Sequence, residues 1–297
     1  MNLRRSWGVF TALLFTLAGA SVQAQNEEPT RVQDVVYGHK LGVALSMDVF
    51  KPAKPSGIGV IWMVSGGWVS NHNNIDPRQA KIFTSHGQTV FCVVHGSNPK
   101  FFLREIVEDI HRAVRFIRTH AAEYGVDPDR LGISGGSAGG HLSLMMGAYG
   151  KDGDPSAKDP VDRASSKVQA VACFFPPTDF LNYAKEGQNA MVIPTLRGYW
   201  NVFEVTEKTS DEEKVRIAKT ISPIYGLNEK SPPTRIIHGD ADPLVPIQQS
   251  QLVIAKLKSL NVPCDLIVKP GKAHGWAGIE KDGDKLAEWF DTYLGKK

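Results

Sequence analysis

Hydrophobic and polar positions divide this chain into three kinds of stretch. Residues 43–50, VALSMDVF, alternate apolar and polar side chains, the period of a strand with one face on a core, and Pro52 and Pro55 end the run. Residues 58–64, IGVIWMV, and 89–94, TVFCVV, are short, nearly unbroken apolar runs. That is how strands buried on both faces of a parallel sheet read. Over 105–122, Ile106, Val107, Ile110, Ala113, Val114 and Ile117 recur at helical spacing with Glu108, Arg112, Arg115 and Arg118 on the other side, which predicts an amphipathic helix covering such a sheet. The same reading predicts strands at 131–133, 168–174, 234–238 and 264–268, and helices at about 138–148, 248–260 and 285–294. Strands alternating with helices imply an α/β fold, a doubly wound, mostly parallel sheet with helices on both faces.

Residues 176–231 break this rhythm with prolines, a charged stretch, DEEKVRIAK, and aromatics that read as exposed: Tyr183, Tyr199, Trp200 and Phe203. This segment is expected to be a cap inserted into the sheet's connections. At 297 residues and 42% hydrophobic content the chain can bury one large core, placed at 25–297. The formal net charge is only +3, and no basic run or basic stripe interleaved with aromatics occurs, so nucleic acid is not expected as a partner. Arg4-Arg5, an apolar run over 7–20 and the small-residue site Val22-Gln23-Ala24 predict a signal peptide over 1–24 and an exported, periplasmic or extracellular protein. The apolar run is shorter than the ~20 residues a spanning helix needs, so no stable membrane insertion is expected. Cys92, Cys173 and Cys264 lie in apolar, strand-like runs and read as buried free thiols; no Cys/His spacing suggests zinc.

Against this frame the stretch GISGGSAGGH, residues 132–141, stands between a predicted strand and a predicted helix. Gly135, Ser137 and Gly139 match G-x-S-x-G, in which the serine occupies a strained turn and glycines remove clashes beside it. A serine hydroxyl needs a base and a group to fix that base. Asp242, in HGDADPLVP, and His274, in AHGW, both follow late strands, in the order Ser, Asp, His. Asp242 is preferred to Asp240 for its spacing to Val245-Pro246. His238 is read as a structural residue ending its strand, and His141 as a packing or hydrogen-bonding residue. Stabilising an oxyanion takes backbone N–H groups: one from Ala138, the other from the Ser65-Gly66-Gly67-Trp68 loop, with Gly66 and Gly67 as candidates.

The segments SGGW (65–68), 120–144, HGDADPLVP (238–246) and AHGW (273–276) together resemble the α/β-hydrolases of the esterase/lipase group. The likeness runs to carboxylesterases and acetyl-xylan and feruloyl esterases, and more distantly to prolyl oligopeptidases. It implies a cofactor- and metal-free, two-step acyl transfer through Ser137, His274 and Asp242, with a rate that rises as His274 loses its proton. The substrate implied is a small-molecule or polysaccharide-linked ester. Trp68, Tyr199 and Trp200, with Phe175, are the rings expected to contact it. Such esterases carry His-Gly-Gly-Gly in the oxyanion loop, whereas Val64 and Ser65 stand first here. A peptidase of the oligopeptidase kind is the alternative. It is disfavoured because no propeller-length segment precedes the hydrolase pattern and no acidic pair is placed to bind a free amine; a non-catalytic binding protein would lack a triad member.

Overall fold

The computed structural model describes residues 28–296, so the leader assigned to 1–24 lies outside the described residues. Its strands, β1 (Thr30–Lys40), β2 (Val43–Lys51), β3 (Gly57–Met63), β4 (Thr89–Val93), β5 (Val126–Ser134), β6 (Ala170–Phe174), β7 (Thr234–Gly239) and β8 (Cys264–Lys269), form one sheet ordered β1-β2-β4-β3-β5-β6-β7-β8. The first two pairings, β1 with β2 and β2 with β4, are antiparallel, and the rest are parallel.

The helices are α1 (Pro77–Thr84), α2 (Leu103–Thr119), α3 (Ala138–Tyr149), α4 (Asp211–Thr220), α5 (Gln248–Ser259) and α6 (Ile279–Leu294). Why β3 is apolar throughout is visible in where its side chains go. Val60 and Trp62 join Phe83 of α1 and Leu286 and Phe290 of α6, whereas Ile61 and Met63 join Ile106 of α2, Leu142 of α3 and Val253 of α5. Each large side chain so removed from water contributes roughly 1.5–3 kcal/mol, which fixes the central strands from both faces. No helix among the described residues is long and apolar enough to cross a membrane.

Three elements lie beyond the pattern reading. β1 is an edge strand whose first residues are mostly exposed, so it carries no clear burial period. Only eight residues long, α1 is specified by its start, where Asp76 accepts from the Arg78 amide and Pro77 takes the first turn. The charged stretch of the expected cap, to which the pattern assigned no element, is α4, capped by Ser210 with three acids in its first turn. In addition, α6 begins at Ile279, not 285, directly after Gly278 at φ 80°. Cys92 and Cys173 are buried free thiols, and burial pushes both upward in pKa; Cys264 is only partly buried.

The cap aromatics are the larger correction. Tyr183, Trp200 and Phe203 are buried: 3-10 turns over Pro194–Tyr199 and Asn201–Phe203 fold the latter two inward, Phe203 and Phe180 pack against Trp68, and Tyr183 packs against Phe180. Residues 176–231 thus carry their own apolar centre, continuous with the core beneath.

The sheet order also locates the site. From β3 the chain adds β4 on one side, then returns to place β5 on the other, so the loops after β3 and β5 part at their carboxyl ends. Crevices at such switch points hold ligands in open α/β sheets.

Candidate active site

Ser137 sits between β5 and α3 at φ 54° and ψ −119°, a conformation that costs of order 1–3 kcal/mol and persists only where the surroundings enforce it. They do: its amide donates to the Phe174 carbonyl at 3.1 Å, and its carbonyl accepts from the His141 amide at 2.9 Å. Glycines make the turn passable. A Cβ on Gly135 would lie 2.6 Å from the Gly139 carbonyl carbon, and one on Gly139 would lie 2.8 Å from the Met63 oxygen of β3.

The three residues assigned from sequence meet at this point. His274 Nε2 is 2.8 Å from Ser137 Oγ, and His274 Nδ1 is 2.6 Å from Asp242 Oδ2. A carboxylate can only accept, so Nδ1 carries the proton and Nε2 presents its lone pair to the hydroxyl. Burial would push the Asp242 carboxyl up, but hydrogen bonds from His238, His274 and the Val245 and Leu244 amides outweigh it and hold the group well below the usual carboxylate range. Asp242 is therefore a fixed anion beside the histidine. Asp240, the rejected alternative, is exposed and accepts from the Gly271 amide.

The loop after β3 carries the two glycines expected from sequence as oxyanion donors, and its hydrogen bonds separate them. Gly66 N–H donates to the Val69 carbonyl at 3.0 Å and is committed to that turn. The amides of Gly67 and Ala138 have no protein partner among the described residues, and these two are free to face an oxyanion. Gly67 is at φ 56°, and a Cβ there would come within 3.0 Å of the Tyr199 ring, so the position admits glycine best.

Two buried histidines hold this loop. Trp68 Nε1 donates to His141 Nδ1 at 3.1 Å, while His141 Nε2 donates to the Ile221 carbonyl at 2.7 Å, joining loop, α3 and cap. On the other side Ser65 Oγ is 2.9 Å from His95 Nε2, whose ring donates through Nδ1 to the Gly96 carbonyl at 2.6 Å. Burial lowers both rings to about 4, keeping them neutral and able to accept. An imidazole absent from the loop sequence thus arrives from the strand beside it. Its signal in the sequence, the lone His95 after VFCVV, points to no partner.

A cavity of about 530 Å³ opens at the site, lined by Ser137, His274, Gly67, Phe175 and Tyr199. The Phe175 ring lies 4.6 Å from the His274 ring, centroid to centroid. Asp76 and Glu280 also line it, so two carboxylates reach a cavity for which the sequence indicated no acidic pair; Asp76 is committed to Arg78 at 2.7 Å. A second, inner space of about 20 Å³ touches Ser137 and Gly67 and is walled by Trp68, Phe180, Leu196 and Phe203. Of the rings expected to contact substrate, Tyr199 borders both spaces and Trp68 only the inner one. Trp200 lines neither; it is buried in the cap with Arg197 5.2 Å above its ring.

With this geometry in place, comparison with known proteins decides the family. The BD-FAE family model matches residues 47–257. The chain belongs to the BD-FAE family. Its relatives in sequence include the "Probable carboxylic ester hydrolase LipM" of Mycobacterium tuberculosis, 27% identical over 77% of this chain and 52% of that one. The chain thus spans about half the length of the curated relatives it matches. Among solved structures, a truncated carbohydrate esterase from gut microbiota superposes with a TM-score of 0.77 at 24% identity, covering 91% of this chain and 98% of the other. An esterase from the planctomycete Thermogutta terrifontis gives 0.69 at 26% identity over 89% and 92%. BD-FAE membership and these neighbours agree on the α/β-hydrolase fold expected from the motifs.

Proposed function

We propose that this protein is a serine-dependent carboxylic ester hydrolase that carries an acetyl-sized acyl group on Ser137 before passing it to water. The observation that carries the reading is the aligned chain of Ser137, His274 and Asp242, with the amides of Gly67 and Ala138 left without a partner among the described residues. His274 takes the hydroxyl proton as Ser137 attacks the ester carbonyl. The two amides meet the oxyanion, and the imidazolium, steadied by Asp242, protonates the departing alcohol. A water activated by His274 then frees the acid.

Volume supports the choice of acyl group. About 10–15 Å³ of such space holds one water-sized group, so 20 Å³ beside Ser137 suits an acetyl methyl, and a feruloyl ring does not fit. The larger cavity is left to the alcohol, and the half-buried Tyr199 ring on its wall gives a sugar an apolar surface to meet. The likeness to a carbohydrate esterase agrees with a polysaccharide-linked substrate. Export is part of the reading and rests on the pattern of residues 1–24.

The test is hydrolysis of p-nitrophenyl acetate, butyrate and octanoate, acetylated and feruloylated xylan, and an amino-acid p-nitroanilide. Acetate esters should turn over fastest, octanoate at least about tenfold more slowly, and acetate rather than ferulate should leave xylan. Turnover of the anilide but of no ester would overturn the proposal in favour of a peptidase.

A further inference from the structure

The His238 ring, read from sequence as a structural residue ending its strand, meets the carboxylate of Asp242. His238 is fully buried near the end of β7. Its Nε2 lies 2.9 Å from the Val245 carbonyl and 3.3 Å from Asp242 Oδ2, and its Nδ1 lies 2.6 Å from Ser250 Oγ on α5. A carbonyl can only accept, so Nε2 carries a proton, and that proton is shared with the same Asp242 oxygen that holds His274. The other oxygen, Oδ1, accepts from the Leu244 and Val245 amides, both at 2.9 Å.

We infer that His238 is a positioning residue for the triad, setting through Asp242 how strongly His274 holds its proton; the inference rests on the Ser137–His274–Asp242 reading above. The physical argument concerns one oxygen with two donors. An N–H on Oδ2 draws negative charge from the carboxylate, which weakens its pull on the His274 ring and lets that ring release its proton at lower pH. The same bond, with the one to Val245, anchors the 242–245 turn. Inside a fully buried site, water cannot replace the lost donor. The titratable groups packed around this point are Asp242 after β7, His274 after β8 and, from the cap, Tyr183, whose hydroxyl donates to the Leu244 carbonyl at 2.7 Å. From α5 comes the Ser250 hydroxyl, and from just after β6 the Phe175 ring, 6.2 Å away between centroids.

Three variants of the full chain decide it: His238→Leu, His238→Gln and Ser250→Ala. For each, kcat and KM for p-nitrophenyl acetate and the rate of Ser137 phosphonylation by a fluorophosphonate are followed from pH 4.5 to 9, beside Tm. In His238→Leu the acid limb of both profiles should move up by about half to one pH unit, with kcat at pH 6 down about three- to tenfold and KM nearly unchanged. His238→Gln, whose amide can still donate, should return most of the shift. A purely packing role would lower Tm in both variants and leave the limb in place, and that result overturns the inference. Should the leucine variant not fold, Ser250→Ala keeps the ring but frees Nδ1; a smaller upward shift supports the inference, and an unmoved limb overturns it. Phosphonylation needs no ester substrate. If the protein is phosphonylated with an acid limb yet cleaves no ester, the ester proposal falls while the limb still decides His238. If Ser137 does not react at all, the triad reading fails and this inference with it.

Discussion

Two serines line the same cavity, each bonded to a histidine, and the two bond lengths barely differ. Ser137 Oγ is 2.8 Å from His274 Nε2, and Ser65 Oγ is 2.9 Å from His95 Nε2. What separates them is the group behind the ring. His274 turns its other nitrogen to a carboxylate, whereas His95 turns it to a peptide carbonyl in a buried site, and burial drops His95 to about 4. A full negative charge stabilises an imidazolium; a carbonyl dipole offers far less. The serines differ too, since Ser137 is lifted into the crevice by a strained turn and Ser65 belongs to a loop pinned on both sides. Reach between a serine and a histidine therefore does not make a nucleophile; the third group and the backbone decide.

The sharpest way to break this contrast is to remove each hydroxyl. Ser137→Ala should cost on the order of a thousandfold or more in kcat with p-nitrophenyl acetate, and Ser65→Ala less than about tenfold. Equal losses would abolish the distinction. Acid provides the next largest effect. His95 and His141 stay neutral in the fold down to about 4, while in the unfolded chain they take up a proton below about 6.5, so their contribution is intact above pH 6.5 and lost progressively as pH falls to 4. The loss should reach about 3 kcal/mol for each ring. Urea unfolding between pH 7.5 and 4 measures it, and a stability unchanged over that range would show that these rings are not held neutral. The smallest effect is expected from His95→Gln, which loosens Ser65 and with it the Gly67 amide. Here kcat should fall about two- to fivefold at neutral pH with KM little changed, because one oxyanion donor is loosened without being lost. A fall as deep as that of Ser137→Ala would make His95 part of the chemistry.

Much of this arrangement could be read before any coordinates. The alternation of buried strands with amphipathic helices, Gly135-x-Ser137-x-Gly139 at a strand-to-helix turn, and Asp242 and His274 after late strands are local patterns, each legible within about ten residues. Where the reading failed, the missing information was long-range. Eight-residue α1 has too few turns to show a period, and edge strand β1 has too little burial. Trp200 and Tyr199 are neighbours of similar type, yet one fills the cap and the other borders the cavity, because a 3-10 turn sends consecutive side chains in different directions.

The sequence by itself determined which serine, aspartate and histidine follow strands at their turns, and the alternation of buried strands with helices, since both are local patterns of glycine and apolar positions. Tertiary structure decided the rest. Whether Gly66 or Gly67 offers its amide depends on a bond to Val69 that closes a turn. That His95 holds the loop after β3 depends on Ser65 and His95 meeting across 30 positions, and whether Asp242 has one ring or two depends on β7 and α5 converging. Hydrogen bonds act over 3 Å in space whatever the separation along the chain, and periodicity in a sequence reports only on neighbours.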